Sequence, residues 1–332
     1  MKAYIVNELT HPSKLTIQTV PSPQAGSGEV LVDVHSAALN FFDILQSLGK
    51  YQNQPPLPFI LGSEFAGRIS QDSPIPEGCP FKKGDRVFGA AQGAFAEVVK
   101  AKWQSLLPLP DHLSYEQGAG LFVTWPTSYE ALVGRAELKA GEWVLVTAAA
   151  GGVGIAAVQL AKALGAKVIA AAGSQAKLDV CKKYGGADHV VDYTKKDWQK
   201  EVLKITGGKG VDVVYDPVGK IQESLKCIAW KGRALVVGFA AGNIEKLPLN
   251  LVLLKNISIV GIHWGAYTVK EAEHIPVVWK DLLELLSSGK ATPVVYDTVY
   301  PLEKLVDGLR ALEKRETWGK VTVSVRAPST KL

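Results

Sequence analysis

The residues most suggestive of chemistry form a glycine-rich turn in the segment VLVTAAAGGVGIAAVQLAKALG. An apolar strand pattern precedes the turn and an amphipathic helix pattern follows it. In the dinucleotide-binding template G-x-G-x-x-G, Ala149 stands at the first position, Gly151 at the second and Gly154 at the third. The helix N-terminus offers backbone N–H groups to phosphates. The predicted pyrophosphate contacts are Ala150, Gly151, Gly152, Val153 and Gly154.

The second predicted strand, AKVIAAA, ends without the acidic residue that usually accepts the ribose 2′-hydroxyl of NAD. That place has the sequence Ala172-Gly173-Ser174, and the next charged residue is Lys177. A carboxylate would repel a 2′-phosphate, whereas a hydroxyl and a lysine would attract it. The sequence therefore predicts NADPH as the cofactor.

The chain divides into two kinds of pattern. Residues 1–122 contain short strands separated by Pro/Gly turns, which indicates a β-rich, barrel-like unit, and residues 263–332 are expected to fold back onto it. Residues 123–262 alternate strands with helices, which is typical of a doubly wound parallel sheet. The predicted fold class is α/β, with a dinucleotide-binding domain inserted into a discontinuous β-rich domain.

Composition and charge limit the location and the binding partners that we expect for this protein. No apolar run approaches the roughly 20 residues of a membrane-spanning helix, and the first residues already form a strand pattern, so we expect no secretory signal. The three cysteines form no CxxC pair, which fits a reducing compartment. The net charge is +5, and the segment between Lys162 and Lys209 is rich in lysine. These lysines are expected to form a solvent-exposed surface, and the alternative is that they bind RNA.

Several motifs in order resemble the zinc-independent quinone oxidoreductase branch of the medium-chain dehydrogenase/reductase superfamily, the relatives of zeta-crystallin. They are NFFDILQSLGKYQNQPPLPFILGSEFAG, VTWPTSYEAL, AAAGGVG, YDPVG, VVGFAAG and GIHWG. The resemblance covers essentially the whole chain, and it implies a GroES-like domain around a Rossmann domain.

The resemblance also assigns site residues. It implies that Asn40, Asp43, Tyr51 and Thr127 face the reaction, with Thr127 beside the nicotinamide. It places the 2′-phosphate at Gly173, Ser174, Lys177 and Tyr193, and the nicotinamide near Gly238, Phe239, His263 and Trp264. The chain departs from the family at Leu45 and Ser47, where tyrosine and arginine are frequent, and at Lys220, where a second glycine is common.

The metal ligands of the zinc-containing relatives are replaced. Asn40 stands where those relatives have a cysteine, and Ser63 stands where they have a histidine. A catalytic zinc site needs three thiolate, imidazole or carboxylate ligands, so we expect no metal. A conjugated acceptor can take a hydride without a Lewis acid, because the resulting charge is delocalised. A quinone is the first candidate acceptor, and an α,β-unsaturated carbonyl compound is the alternative.

Two further expectations concern assembly and location. The segment ISIVGI is predicted to be an edge strand of the nucleotide-binding sheet, and the family resemblance implies that this edge pairs in a homodimer. The chain ends in Thr-Lys-Leu, which resembles the peroxisomal Ser-Lys-Leu address. We expect a cytoplasmic protein, with the peroxisome as the alternative; a structural or RNA-binding protein without turnover remains the alternative to an enzyme.

Overall fold

The computed structural model describes residues 1–240, 242 and 244–326. The Thr-Lys-Leu end, residues 330–332, lies outside the described residues, as do two positions of the VVGFAAG region, Ala241 and Asn243. Within the described residues, no helix is both long and apolar enough to cross a membrane.

The secondary structure alternates between short β segments at the ends of the chain and regular β–α repeats in its middle. The strands are β1 (Lys2–Val6), β2 (Ile17–Thr19), β3 (Glu29–Ala38), β4 (Phe59–Ile60), β5 (Glu64–Ile69), β6 (Arg86–Ala90), β7 (Val98–Lys102), β8 (Leu106–Pro108), β9 (Trp143–Val146), β10 (Lys167–Ala172), β11 (His189–Asp192), β12 (Val211–Asp216), β13 (Ile228–Val236), β14 (Ser258–Gly261), β15 (Tyr300–Pro301) and β16 (Thr322–Ser324). The α-helices are α1 (Phe41–Ser47), α2 (Tyr115–Ala119), α3 (Thr124–Glu130), α4 (Gly152–Ala163), α5 (Gln175–Lys183), α6 (Trp198–Ile205), α7 (Ile221–Ser224), α8 (Leu249–Lys255), α9 (Tyr267–Lys270), α10 (Ile275–Ser287) and α11 (Leu305–Glu313). A π-helical turn, Ala131–Arg135, continues α3.

The middle of the chain builds one six-stranded sheet in the order β11-β10-β9-β12-β13-β14. All its neighbouring strands run parallel. β10 is buried along nearly its whole length, as expected of a parallel strand covered on both faces. The order runs outward from β9 in both directions, which is the doubly wound arrangement of dinucleotide-binding folds. The predicted parallel sheet is therefore confirmed.

The two ends of the chain build a second unit mostly from antiparallel strands, with β15 parallel to β16. Its largest sheet has the path β15-β16-β3-β5-β6-β8, with β7 pairing β3. β16, from the C-terminal segment, pairs antiparallel with β3, so the segments interlock in one sheet. The core of this unit includes the fully buried Phe65, Phe88 and Phe95.

The boundary between the units differs from the predicted one on the C-terminal side. Among the described residues, unit 1 comprises residues 1–123 and 295–326 and unit 2 lies between residues 124 and 294, whereas the sequence predicted the second crossing after residue 262. The segment after β14 belongs with unit 2 because Val278, Trp279, Leu282 and Leu286 of α10 are buried there. In addition, Tyr129 of α3 donates a 2.6 Å hydrogen bond to Asp281 of α10.

Candidate functional site

The glycine turn connects β9 to α4 in unit 2. Gly151 is the residue before the first turn of α4 and has no side chain that could cap the helix, so it leaves the first N–H groups of the helix available to a ligand. A Cβ on Gly151 would meet nothing closer than 3.4 Å, whereas one on Gly154 would lie 2.4 Å from the carbonyl oxygen of Ala148. The two glycines thus do different work: Gly151 leaves the backbone approachable, and Gly154 allows close packing.

Two buried hydroxyls hold the turn in place. Ser128 of α3 donates a 2.9 Å hydrogen bond to the carbonyl of Val153 and lies 2.9 Å from the hydroxyl of Tyr215. Thr147, at the end of β9, hydrogen-bonds the carboxylate of Asp216 at the end of β12. The phosphate-facing backbone therefore rests on buried polar contacts, which preorganise it.

The end of β10 carries no acid of its own, as predicted. Gly173 and Ser174 are exposed, and the Ser174 side chain does not cap α5, which has no acidic residue in its first turn. Lys177 lies on that first turn and is half-buried. The ring of Tyr193 lies against Gly173, with its Cε2 3.4 Å from where a Cβ would stand.

An acid nevertheless stands on the neighbouring strand. β11 pairs with β10 so that Asp192 lies beside Ala172. Hydrogen bonds from the backbone and hydroxyl of Thr194 lower the pKa of Asp192. Asp192 therefore stays ionised, and only the strand pairing, not the linear sequence, reveals its position.

The remaining cofactor candidates follow β13 and β14. Gly238 packs under Pro217, whose carbonyl oxygen would be 3.2 Å from a Cβ at this position, and Phe239 is 43% exposed. His263 precedes a short 3₁₀ turn, and Trp264 is buried and stacked on Tyr267.

A single edge of the parallel sheet collects these residues. The glycine turn, Gly173, Tyr193, Gly238 and His263 each follow the carboxyl end of a different strand, and such ends of parallel strands share one edge. Thr127 is the one residue of α3 that is not buried.

The predicted site residues near the N-terminus lie in unit 1. Asn40, one of them, contacts two residues that the sequence prediction missed, Glu64 and Lys320. Asn40 donates a 2.9 Å hydrogen bond from Nδ2 to Glu64 Oε1. The ammonium of Lys320 donates to Asn40 Oδ1 at 2.8 Å, to the carbonyl of Leu39 at 3.3 Å and to Glu64. Glu64 is fully buried and the Lys320 side chain is 7% exposed, so this is a buried ion pair that fixes the Asn40 amide.

The signal for Glu64 and Lys320 was weak. Glu64 belongs to the GSE segment and Lys320 begins the strand pattern GKVTVSV. Glu64 was noted only as part of the family motif, and no motif included Lys320. The two residues meet because β16 pairs with β3.

Asp43 and Tyr51 are the remaining candidates of unit 1. Burial raises the pKa of Asp43 to about 8, against the opposing effects of the Asn40 N–H and Lys320. One carboxyl oxygen accepts the Asn40 N–H at 2.7 Å, and the other has no hydrogen-bond partner. Burial, and then the charge of Asp43, raises the pKa of Tyr51, whose ring stacks on Phe42. Both shifts favour the protonated form of the group.

Among the described residues, no group of three or more His, Cys, Asp and Glu side chains is arranged to hold a metal ion. The edge of the parallel sheet does fit a dinucleotide. Its turn leaves Gly151 open to a pyrophosphate, and β10 itself contributes no carboxylate at its end, although Asp192 of β11 lies beside Ala172.

Two family models match the chain. Residues 26–111 match the alcohol dehydrogenase GroES-like domain, and residues 152–288 match the zinc-binding dehydrogenase domain. Mouse quinone oxidoreductase-like protein 2 is 39% identical over 98% of this chain and 92% of its own length. The chain belongs to the quinone oxidoreductase branch of the medium-chain dehydrogenase/reductase superfamily.

Solved structures extend the comparison to the cofactor. The quinone oxidoreductase of Escherichia coli complexed with NADPH superposes with a TM-score of 0.87 at 31% identity, over 98% of this chain and 100% of the other. The quinone oxidoreductase of Thermus thermophilus, also solved with NADPH, gives 0.85 at 34% identity, over 98% and 100%. The protein is an oxidoreductase with a GroES-like and a Rossmann-type part, as predicted, and these two neighbours bind the cofactor that its sequence predicts.

Proposed function

We propose that this enzyme reduces quinones by hydride transfer from NADPH without a metal ion. The names of its relatives support the acceptor class. The proposal that no metal ion takes part is supported by the contact of Lys320 with both Asn40 and Glu64.

That contact disfavours a divalent cation for a simple electrostatic reason. Asn40 stands where zinc-containing relatives have a thiolate ligand, and here its side-chain oxygen already accepts from a buried ammonium. A metal ion beside Asn40 would meet the positive charge of Lys320 at short range in a medium of low polarity. Glu64, the carboxylate that the Asn40 side chain contacts, is neutralised by the same ammonium.

The acceptor oxygen needs a hydrogen-bond donor, and we assign this role to Tyr51. When bound, NADPH supplies the hydride, and the reduced quinone then needs protons. Because the pKa of Tyr51 is raised, its hydroxyl keeps its proton and can donate to the developing phenolate. Asp43 has a pKa of about 8, and its protonated form places no negative charge beside this tyrosine. Asn40 provides a fixed amide in the same unit.

The cofactor assignments follow from the shared sheet edge. We assign the pyrophosphate to the N–H groups at the start of α4 and the 2′-phosphate to the end of β10, where Gly173, Ser174, Lys177 and Tyr193 lie. The residues assigned to the nicotinamide are Thr127, Gly238, Phe239, His263 and Trp264.

The test is a comparison of acceptors. An ortho-quinone, a para-quinone and an alkenal are each mixed with the enzyme and NADPH, and the loss of reduced-nicotinamide absorbance is followed, with NADH in parallel. We expect turnover of at least one quinone with NADPH, and a much lower kcat/KM with NADH. The metal part is tested by extended chelator treatment, which should leave the rate unchanged. Faster reduction of the alkenal than of either quinone would establish the alternative acceptor, and turnover of neither class would contradict the proposal.

We also propose that the enzyme is a homodimer that joins through β14. β14 is the last strand of the six-stranded sheet, and an open strand edge is usually covered or paired. α8, which lies between β13 and β14 in the chain, exposes Leu249, Leu253 and Leu254, each at least 68%. Light scattering during size-exclusion chromatography should give twice the chain mass, and Leu253→Asp should give monomers. A monomer at all concentrations of the unaltered protein would contradict this assembly.

A further inference from the structure

Lys220 follows β12 at the edge of the sheet that carries the glycine turn. Its Nζ lies 5.1 Å from the centroid of the Tyr193 ring. Tyr193 follows β11, and its ring also lies against Gly173 at the end of β10. One aromatic ring thus links Lys220 to the assigned 2′-phosphate position.

The link crosses a considerable part of the sheet. β11 and β12 are separated by β10 and β9, so their axes lie roughly 14 Å apart at the usual strand spacing. The contact between Lys220 and Tyr193 nevertheless brings together residues that follow these two strands. The strands between them, β10 and β9, precede the loops that we assign to the phosphates.

The backbone of Lys220 is firmly placed. The N–H of Gly219 donates to Asp216 Oδ2 at 2.9 Å, and that of Lys220 donates to the same atom at 2.7 Å. Asp216 is buried and also bonds Thr147 at the end of β9. The same carboxylate that steadies the glycine-turn strand therefore orients the loop bearing Lys220.

The charges around this position leave a role for an additional cation. Asp192 stands beside Ala172 and is ionised, so it offsets one positive charge near the end of β10. Lys195 contributes to the lowered pKa of Asp192 and so offsets part of its charge, and Lys177 is the cation assigned to the dianionic phosphate. A second ammonium beside Lys177 would add to the positive charge there.

We propose that Lys220 provides this second cation for the 2′-phosphate of NADPH, together with Lys177, and so contributes to the preference for NADPH over NADH. The inference rests on the proposed 2′-phosphate position. Lys220 also departs from the family pattern, in which a glycine is common there, so this contribution would be a feature of this chain and of relatives with the same lysine.

Glu223 is the competing partner of Lys220. Its Oε1 accepts from Lys220 Nζ at 2.9 Å, and its Oε2 accepts from Trp198 at 3.2 Å. The Glu223 side chain is 46% exposed, and such partly exposed ion pairs are weak. The ammonium can therefore turn to a phosphate, while Trp198 still holds the carboxylate.

The experiment measures binding of cofactor fragments rather than turnover. Titration calorimetry with 2′,5′-ADP and with 5′-AMP isolates the effect of the 2′-phosphate. In Lys220→Met, we expect the Kd for 2′,5′-ADP to rise about five- to twenty-fold, as for loss of one charge-assisted contact, and the Kd for 5′-AMP to change less than about two-fold. Lys220→Arg should retain most of the affinity. Glu223→Gln should tighten 2′,5′-ADP, because it frees the ammonium.

Two control variants separate the possible outcomes. Lys226→Met removes the same charge from an exposed position near Glu223 and should have no effect. Lys177→Met should weaken 2′,5′-ADP selectively if the 2′-phosphate position is correct. If Lys177→Met does so while Lys220→Met does not, the inference about Lys220 fails and the proposed site stands. Equal losses for both ligands in Lys220→Met would indicate a structural role only, and equal affinities in the unaltered protein would overturn the site itself.

Discussion

The side-chain amide of Asn40 donates a 2.9 Å hydrogen bond to Glu64, a carboxylate with no solvent exposure. A buried carboxylate needs a counter-charge, and Lys320 supplies it while also fixing which way the Asn40 amide points. Asn40 lies at the start of α1 and its backbone N–H is held by Asp43. Hydrogen bonds therefore constrain both the side-chain amide and the backbone of Asn40.

Breaking this pair should be costly. Lys320→Met leaves the Glu64 charge buried alone, and we expect the free energy of unfolding to fall by about 3–5 kcal/mol. Urea denaturation followed by circular dichroism measures it. The double variant Lys320→Met/Glu64→Gln should recover part of the loss, since no unpaired charge remains. Lys2→Met, which removes an exposed ion pair with Glu303, is the matched control and should leave the transition unchanged; equal effects of the two lysine variants would refute the argument.

Asp43 should give the stability a characteristic pH dependence. Its folded-state pKa, about 8, lies above the ordinary value of 3.8, so the folded state retains a proton that the unfolded state releases between these values. The stabilising contribution of the protonated form is complete below about pH 4 and is lost as the pH rises toward 8. Relative to Asp43→Asn, the unaltered protein should therefore lose stability over this window. A difference between the two proteins that stays constant with pH would show that Asp43 is ionised in the folded state.

An acid placed at the end of β10 should change the cofactor preference. Ser174→Asp adds a carboxylate at the position that accepts the ribose hydroxyl in NAD-dependent enzymes, and it would repel the 2′-phosphate. We expect kcat/KM for NADPH to fall about 10- to 100-fold, with that for NADH unchanged or higher. Steady-state kinetics with both cofactors measure the ratio. Ser27→Asp, which adds the same charge at an exposed turn of unit 1, should leave the ratio as it is.

The two glycines of the turn should respond differently to alanine. Gly154→Ala places a methyl group 2.4 Å from the Ala148 carbonyl oxygen, so the helix must shift, and we expect a loss of about 1–3 kcal/mol of stability. Gly151→Ala meets nothing closer than 3.4 Å and its φ of −73° suits alanine. This variant should keep its stability but bind NADPH more weakly, because the methyl group obstructs the pyrophosphate. Thermal unfolding together with NADPH titration tests both variants, and equal destabilisation of the two would contradict the assignment.

Much of unit 2 was predictable because its determinants are local. The strand–turn–helix pattern around Gly151 and the absence of an acid after Ala172 are both visible along the chain, and the structure keeps both. By contrast, the position of Asp192 beside Ala172 depends on which strand pairs with β10. Periodicity does not carry that information, so Asp192 was not recognised as a carboxylate near the end of β10.

The limits were greater in unit 1. Glu64 and Lys320 are distant in the chain, and each alone resembles a solvated charge at a strand end. The pairing of β3 with both β5 and β16 brings them together and buries them. The second unit boundary was misplaced for a related reason: α10 has an apolar face, but its sequence does not tell which unit that face covers, and the structure packs it on α3.

The pairing of Glu64 with Lys320 also bears on the order in which the chain completes its units during translation. The N–H of Val123, the last residue before the crossing into unit 2, donates to Glu64. Just after the return crossing, the N–H of Tyr296 donates to the backbone carbonyl of Lys320 at 2.8 Å. Unit 2 is continuous and has all its strands before Lys320 is synthesised. The N-terminal part of unit 1, however, holds a carboxylate that cannot be buried until this lysine leaves the ribosome, so unit 1 is the last to reach its native core.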